Sequence, residues 1–464
     1  MRDISAAVDA FTAVATTGIY CQPSCGARPL AGNTCTFPIA AAAEAAGYRA
    51  CLRCRPYRYP QTFDWHAPEF VCRAVRLILD GALDGGNEDD LARRLGVSSR
   101  HLRRLFLDHL GVTPDGLARS ARVHFARRLL DDTDLTVTEI AFAAGFGSLR
   151  QFNRACQDIF RDSPRALRAR RRKTDRLVAD GGLLLRLGFL GPLDWEAMLG
   201  YLAAHAIPGV ESVEGERYRR TIVVEGHPGV IELWPGGADH LVLCAHLPRW
   251  GELVHLVQRA RRVAALDLCL DAAERELAYD PLLAPMLQSQ PGVRPPGTWD
   301  AFETGVLAIV AQDAPLEESK LLVARLVERL GQPAPGLEGM GLTHTFPSVS
   351  TLAAADLRPV GLTPANARAL RDFADQVATG AIVLDGSVTL DRLVESIASV
   401  DGISASTAHY IALRLGEADA FPIGARVHAE GASERWRPWR AVAAVHLWRA
   451  GDAQQLTQRL VGAA

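Results

Sequence analysis

Four of the five cysteines in the first 54 residues constrain this chain more than any other feature. Cys21 and Cys25 flank a Pro-containing turn in TTGIYCQPSCGARP, and Cys51 and Cys54 share a second turn in YRACLRCRP. Two such close pairs can converge four thiolates on one tetrahedral Zn(II), with Zn–S distances of about 2.3 Å. In a reducing compartment, close-spaced pairs read as metal ligands before they read as disulfides. Spacing alone favours a closed knuckle that holds a small domain together, as in most all-cysteine zinc sites. Arg28, Arg49, Arg53 and Arg55 surround the box, where they lower thiol pKa values and face an anionic partner. Cys35 matches no ligand position and reads as packing.

The rest of the chain is long enough for several domains. Its 464 residues are 48% hydrophobic and 22% charged, which excludes a disordered or collagen-like chain. No apolar run approaches the ~18 residues of a membrane span. Asp3 and Asp9 interrupt any apolar leader, so a cytoplasmic monomer without a secretory signal is expected. Lys173 and Lys320 are the only lysines among 51 basic residues. Arginine abundance is therefore a property of the whole chain, and only its local clustering bears on DNA binding.

Residues 70–172 read as helical and internally duplicated. Leu91, Ala92, Leu95, Gly96 and Val97 are echoed at a constant offset of 49 by Ile140, Ala141, Ala144, Gly145 and Phe146. The register then slips by one, so that Ser98, Leu102 and Arg104 match Ser148, Phe152 and Arg154. Each copy has a helix, a Gly-containing turn, a Ser at the next N-cap and a following helix with inward apolar residues. Residues 100–128 carry seven arginines against two acids, and 148–176 carry ten basic residues against three. The second helices, about 99–109 and 149–160, place Arg100, Arg103, Gln151 and Arg154 where they reach a major groove. His101, Arg104 and Arg150 suit phosphate contacts. RARRRK at 168–173 reads equally as a phosphate-binding tail or a charged linker.

Two segments resemble known families. TTGIYCQPSC followed by GYRACLRCRP resembles the N-terminal domain of Ada-type alkylation-response proteins, and AFAAGFGSLRQFNRACQDIFRDSP resembles the second signature of AraC-type DNA-binding domains. The first resemblance implies one Zn(II) on Cys21, Cys25, Cys51 and Cys54. It also implies that the first of these, Cys21, takes a methyl group from a DNA methylphosphotriester. Methylation of one thiolate removes a negative charge from a site facing phosphates, so DNA affinity should rise. Gln22 stands where the family often has arginine.

Beyond a Gly-Gly junction near 180, residues 183–275 alternate helical and strand-like stretches, and successive helices follow from about 298. LVESIASVDGISASTAHYIALRLGEADAF reads as a helix-hairpin-helix, with Leu393, Val394, Ile397, Ile403, Ala408, Ile411 and Leu415 facing inward. The turn of such a hairpin can present backbone N–H groups, here around Gly402 and Ser404, to a phosphate. With DWEAMLGYLAAHAIPGVESV, WDAFETGVLAIVAQ and WRPWRAVAAVHLW, this half resembles AlkA-type 3-methyladenine DNA glycosylases. Those enzymes flip an alkylated purine into an aromatic pocket, where an aspartate stabilises the developing oxocarbenium charge.

Several positions depart from that pattern. The segment AFPIGARVHAE puts Ala425 at the catalytic acid position, with Gly424 the alternative, and the stretch up to Trp436 looks shortened. Asp419 matches a non-catalytic position, and Glu430 would need a rearranged helix. Ser406 replaces a pocket tryptophan, and Asp313 brings an acid to the tip of the intercalating loop. Base-pocket candidates that remain are Gln312, Tyr410 and Trp448; Tyr410, Trp436, Trp439 and Trp448 all read as core aromatics at least as readily as base-stacking ones.

The expectation is a multidomain, mainly α protein with a small α+β part. Its modules are an Ada-type zinc domain (1–62), an AraC-type double helix-turn-helix (68–172), an AlkA-like α+β subdomain (183–290) and a helix-hairpin-helix domain (291–464). The implied function is a methylation-switched transcriptional regulator that repairs phosphotriesters stoichiometrically and carries a glycosylase-like half of doubtful activity. The alternative is a working glycosylase targeted by the front modules. Double-stranded and alkylated DNA are the expected partners, with RNA polymerase a further one.

Overall fold

The computed structural model describes residues 10–27, 29–60, 68–172, 174–177, 181–312, 314–422 and 433–450. The chain divides into two compact units, one of residues 1–189 with 249–258 and one of 190–248 with 259–464. Among the described residues no helix is long and apolar enough to cross a membrane.

The first unit opens on four short strands, β1 (Phe11–Val14), β2 (Ile19–Cys21), β3 (Thr34–Phe37) and β4 (Arg49–Ala50), with helix α1 (Ala40–Ala45) preceding β4. The sheet order is β3-β1-β2-β4. The parallel β2–β4 register sets Tyr20 opposite Ala50, so Cys21 and Cys51, the residues that follow this pair, emerge side by side.

Helices α2 (Glu69–Leu79), α3 (Glu88–Arg94), α4 (Ser99–Leu110), α5 (Pro114–Asp132), α6 (Val137–Ala143), α7 (Leu149–Phe160) and α8 (Pro164–Ala169) follow. Their starts are written in the sequence. Asn87 with Asp90, and Thr136 with Glu139, form capping boxes that satisfy otherwise orphaned N–H groups. Ser98 accepts from the His101 N–H and Ser148 from the Gln151 N–H, which starts α4 and α7 at equivalent points of the two copies. Gly96 (φ 71) and Gly145 (φ 77) make the left-handed turns between the paired helices, a conformation that costs glycine little. Both expected helix-turn-helix units are therefore present, joined by α5. That helix packs against α1, α2, α6, α7 and α8, so burial spreads around it instead of along one stripe. Strand β5 (Leu183–Gly188) ends the main run of this unit, with Leu183, Leu185 and Leu187 buried.

In the second unit α9 (Trp195–His205) leads into β6 (Glu211–Glu214), β7 (Arg217–Val224), β8 (His227–Gly237) and β9 (His240–His246). Successive strands pair antiparallel. Then come α10 (Leu253–Val263, which begins within the first unit), α11 (Leu270–Leu277), α12 (Ala284–Ser289), α13 (Ala301–Val310), α14 (Leu316–Leu330), α15 (Val349–Ala353) and α16 (Pro364–Ala378). The hairpin pair α17 (Leu390–Ala398) and α18 (Ala405–Arg414), then α19 (Arg440–Ala450), complete it. The core forms where α13 meets α16 and α18. Phe302 stacks on Phe373 with centroids 5.7 Å apart, and a Cβ on Gly305 would come within 2.6 Å of the Phe373 ring. Of the seven hairpin residues expected to face inward, Leu393, Ile397, Ile403, Ala408 and Ile411 are buried, while Val394 and Leu415 are half-buried.

Candidate metal centre and nucleic-acid interface

The sheet and its two turns bring the cysteine box together. Cys21 ends β2, Cys25 follows on a turn closed by its N–H to the Gln22 carbonyl, and Cys54 lies on the turn closed by the Arg55 N–H to the Cys51 carbonyl. The sulfurs of Cys21, Cys25, Cys51 and Cys54 all lie within 4.8 Å of one another. Four ligands at about 2.3 Å from one ion must sit this close, and thiolates are the donors that zinc takes in closed tetrahedral sites. A hydrogen bond from Cys21 holds the Cys54 thiol down to about 5, and the same contact pushes Cys21 up. Cys21 is the most buried of the four.

Cys35 is excluded from the box, as expected, but it is not packing. It lies on the exposed face of β3 with its Sγ 3.3 Å from the Tyr48 hydroxyl. Arg28 lies outside the described residues. Arg53 is exposed beside the box, whereas Arg55 does not face a partner. Its guanidinium turns inward to Asp175 at 2.6 Å and Asp131 at 3.6 Å. This correction has a physical reason. Asp131 and Asp132 close the buried end of α5, and desolvated carboxylates need cations close by.

Those contacts belong to a buried network that ties the zinc box to α5. Tyr57 donates to Asp131 at 2.9 Å, Arg58 bridges Asp131 and Asp132 at 3.2 and 2.6 Å, and Arg127 pairs with Asp131. On the other side of the box the Tyr20 hydroxyl donates to Glu44 at 2.6 Å, and Glu44 also meets His124 of α5 at 2.6 Å. Residues adjoining Cys21 and Cys54 are thus fixed to the helix that joins the two helix-turn-helix units. No sequence signal marked these acids, because a charged helix end normally reads as solvated surface.

On α4 and α7 the side chains of Arg100, Arg103, Arg104, Arg150, Gln151 and Arg154 are exposed. Arg103 is engaged by Glu88 of α3 at 2.8 Å, so it is committed within its own unit. Arg104 contacts His101 at 3.1 Å, and Arg154 lies 3.9 Å from Asp158. The basic run after α7 folds back. Arg168 and Arg171 donate to the carbonyls of Leu135 and Thr133, and Arg170 pairs with Asp162 at 2.6 Å. Arg168 and Arg171 thereby hold the chain that leaves the end of α5.

In the second unit Gln312 corrects another expectation. Its amide donates to the Gly402 carbonyl at 2.9 Å, and its oxygen accepts from the Ser404 N–H at 2.9 Å and the Thr407 hydroxyl at 2.8 Å. Gln312 thus braces the hairpin turn and does not line a base pocket. Ser404's N–H, expected to meet a phosphate, already has this partner, and its side chain caps α18. Gly402 (φ 86) remains exposed at the turn.

Tyr410 and Trp448 do come together, with rings 6.4 Å apart. Trp448 lines a cavity of about 740 Å³ with Tyr201, His205, Arg294, Glu317 and Arg449. Tyr201 and Tyr410 share a 2.6 Å hydroxyl contact, and Arg414 donates to both at 3.1 and 3.0 Å. His205 stacks on Tyr201 at 4.0 Å, and burial drives its pKa down to about 3, so it is neutral. Trp436 and Trp439 are core, donating to Asp280 and Glu276 at 2.8 and 2.9 Å. Asp419 is held by Arg440 at 2.8 Å and Arg437 at 2.6 Å. Asp313, Gly424, Ala425 and Glu430 lie outside the described residues.

Comparison with known proteins gives three family matches, the metal binding domain of Ada at residues 1–57, a helix-turn-helix domain at 91–170 and the AlkA N-terminal domain at 184–300. A probable bifunctional transcriptional activator/DNA repair enzyme AlkA of Mycobacterium tuberculosis is 38% identical over 456 residues, covering 94% of this chain and 92% of that protein. DNA-3-methyladenine glycosylase 2 of Escherichia coli is 29% identical over 277 residues, 56% of this chain and 95% of its own. The bifunctional transcriptional activator/DNA repair enzyme Ada of Escherichia coli is 32% identical over 158 residues, 34% of this chain and 43% of its own. Donor set, geometry and the Ada match agree on one Zn(II) at Cys21, Cys25, Cys51 and Cys54.

Proposed function

The chain belongs to the family of bifunctional transcriptional activators and DNA repair enzymes, and on that premise we propose that its Cys21 thiolate accepts a methyl group from a DNA methylphosphotriester. The four-cysteine cluster, in one compact unit with two helix-turn-helix pairs, carries this reading. Zinc, when bound, keeps its thiol ligands deprotonated at neutral pH. The Cys21 sulfur forms a bond to the methyl carbon as the methyl–oxygen bond breaks. The electron pair stays on the phosphate oxygen, which restores the diester anion, and the thiolate becomes a neutral thioether. No acid or base is needed, because a thiolate attacks and a phosphodiester anion leaves. Each chain reacts once.

The consequence is regulatory. Loss of one negative charge beside a DNA-facing surface strengthens phosphate binding, and Arg100, Arg104, Arg150, Gln151 and Arg154 present the reading helices outward. The assignment to Cys21 rests on its place in TTGIYCQPSC. Its partners in the box are more exposed, so the residue must be identified directly. After incubation with methylphosphotriester DNA, peptide mass spectrometry should find a gain of roughly 14 mass units, one CH₂, on Cys21. The same gain on Cys25, Cys51 or Cys54 would refute the assignment.

For the second unit the proposal is a glycosylase fold with weak or absent base excision. Ala425 offers no carboxylate, and Asp419 is held between two guanidiniums. Asp194 and Glu317, the acids lining the cavity, are also engaged. Asp194 caps α9 and lies 3.6 Å from Arg449, and Glu317 pairs with Lys320 at 3.2 Å. The cavity with Tyr410 and Trp448 beside it favours a second reading, an active 3-methyladenine glycosylase, and base release from alkylated DNA separates the two.

A further inference from the structure

The antiparallel sheet of the second unit holds a second cluster of metal-ligating side chains. In the β8–β9 register Glu232 stands directly opposite Cys244, and His246, two residues along β9, projects from the same face. The Cys244 sulfur and His246 Nε2 are 3.3 Å apart, and His246 Nε2 is 3.9 Å from Glu232 Oε1. All three donor atoms lie within 4.8 Å of one another. The nine cysteines of the chain place only Cys244 here, so sequence spacing gives no hint of the grouping.

We propose that Glu232, Cys244 and His246 form a second metal site, which binds one Zn(II) ion and leaves its fourth position open. Ligands at about 2.0–2.3 Å from a tetrahedral ion are separated by about 3.3–3.8 Å, close to the spacings found here. One sulfur, one imidazole nitrogen and one carboxylate oxygen make a donor set suited to zinc and poorly suited to magnesium or calcium, which take oxygen ligands.

The surroundings orient the set. Glu232 Oε2 accepts from Arg219 Nε at 2.8 Å, which leaves Oε1 on the side of His246. Support of a ligating carboxylate by a hydrogen bond from outside the site is usual at metal centres. The guanidiniums nearby work against a cation, but each is shared. Arg219 also pairs with Glu214 at 2.6 Å, and Arg217 lies over the Trp234 ring at 4.0 Å. A divalent ion here displaces the Cys244 proton, so the net gain is one positive charge. That charge balance predicts weaker binding than at the four-cysteine box. His246 is about one-third exposed, so an ion and a water can reach the site from solvent.

Zinc counting tests this on the full-length protein, equilibrated at micromolar free zinc and analysed by elemental mass spectrometry. Two zinc ions per chain are expected for the unaltered protein, and one each for Cys244→Ser and His246→Ala. Cobalt(II) titration supplies an independent readout. A second equivalent should add a sulfur-to-cobalt charge-transfer band that Cys244→Ser abolishes. One zinc per unaltered chain overturns the proposal whatever the variants do. So does a second zinc that persists in both variants.

Discussion

Asp131 joins the segment that follows the zinc box to α5, the helix between the two helix-turn-helix units. Its carboxylate is fully buried and meets Tyr57 at 2.9 Å, Arg58 at 3.2 Å, Arg55 at 3.6 Å and Arg127. Asp131→Ala removes the anion and leaves guanidiniums behind, including Arg127, which is 2% exposed. Breaking a buried ion pair by deleting one partner costs about 3–5 kcal/mol. Asp175 still serves Arg55, and Asp132 still serves Arg58, so the low end, about 3 kcal/mol, is expected here. With a urea slope of about 2–3 kcal/mol/M, the midpoint for zinc release to a coloured chelator should fall by about 1–1.5 M. Asp131→Asn keeps an acceptor for Tyr57 but loses the charge, and should fall between the two. A midpoint for Asp131→Ala within roughly 0.3 M of the unaltered protein, under 1 kcal/mol at that slope, would show that the clamp does not couple the modules.

Other consequences are equally direct. Arg100→Ala and Arg154→Ala should each weaken duplex binding, by about 1–3 kcal/mol for a base contact or by about one unit of salt slope for a phosphate contact; unchanged affinity and slope in both variants would mean that α4 and α7 do not read DNA. Gln312→Ala leaves the Ser404 N–H and Thr407 hydroxyl without their acceptor, and should destabilise the second unit by about 1–3 kcal/mol in a thermal melt, with Gln312→Glu closer to the unaltered protein. Burial lowers the His205 pKa to about 3, so the unfolded chain takes up the proton first as the pH falls. Stability should therefore be level above about pH 6.5 and lower by on the order of 2–3 kcal/mol near pH 4.5, and His205→Gln should flatten that dependence. Base release from alkylated DNA should stay near background, and Ala425→Asp alone should not restore it, because Ser406 persists where the resemblance expects a pocket tryptophan.

Much of this organisation was legible in the sequence. The duplicated helix-turn-helix could be read because local rules converge there. Ser98 and Ser148 cap the second helices, Gly96 and Gly145 supply the left-handed turns, and the apolar spacing is helical. The zinc box was readable because its ligands lie close together along the chain. What escaped depends on partners distant in sequence. Arg55 follows a zinc ligand and looked outward-facing, yet it turns to Asp131 and Asp175. Gln312 reads in sequence as a base-pocket candidate, yet its amide fits the hairpin turn some 90 residues later. Cys244 and Glu232 meet only through strand register, which spacing along one strand does not encode.

The most direct test of the central claim is the DNA affinity of one protein sample before and after stoichiometric methylation, measured across a salt series. Removing one thiolate charge should tighten duplex binding and steepen the salt dependence by up to about one unit, the effect of one added phosphate contact. Cys21→Ser, treated identically, should show no change. Unaltered or weaker binding after complete methylation of Cys21 would contradict the proposed switch.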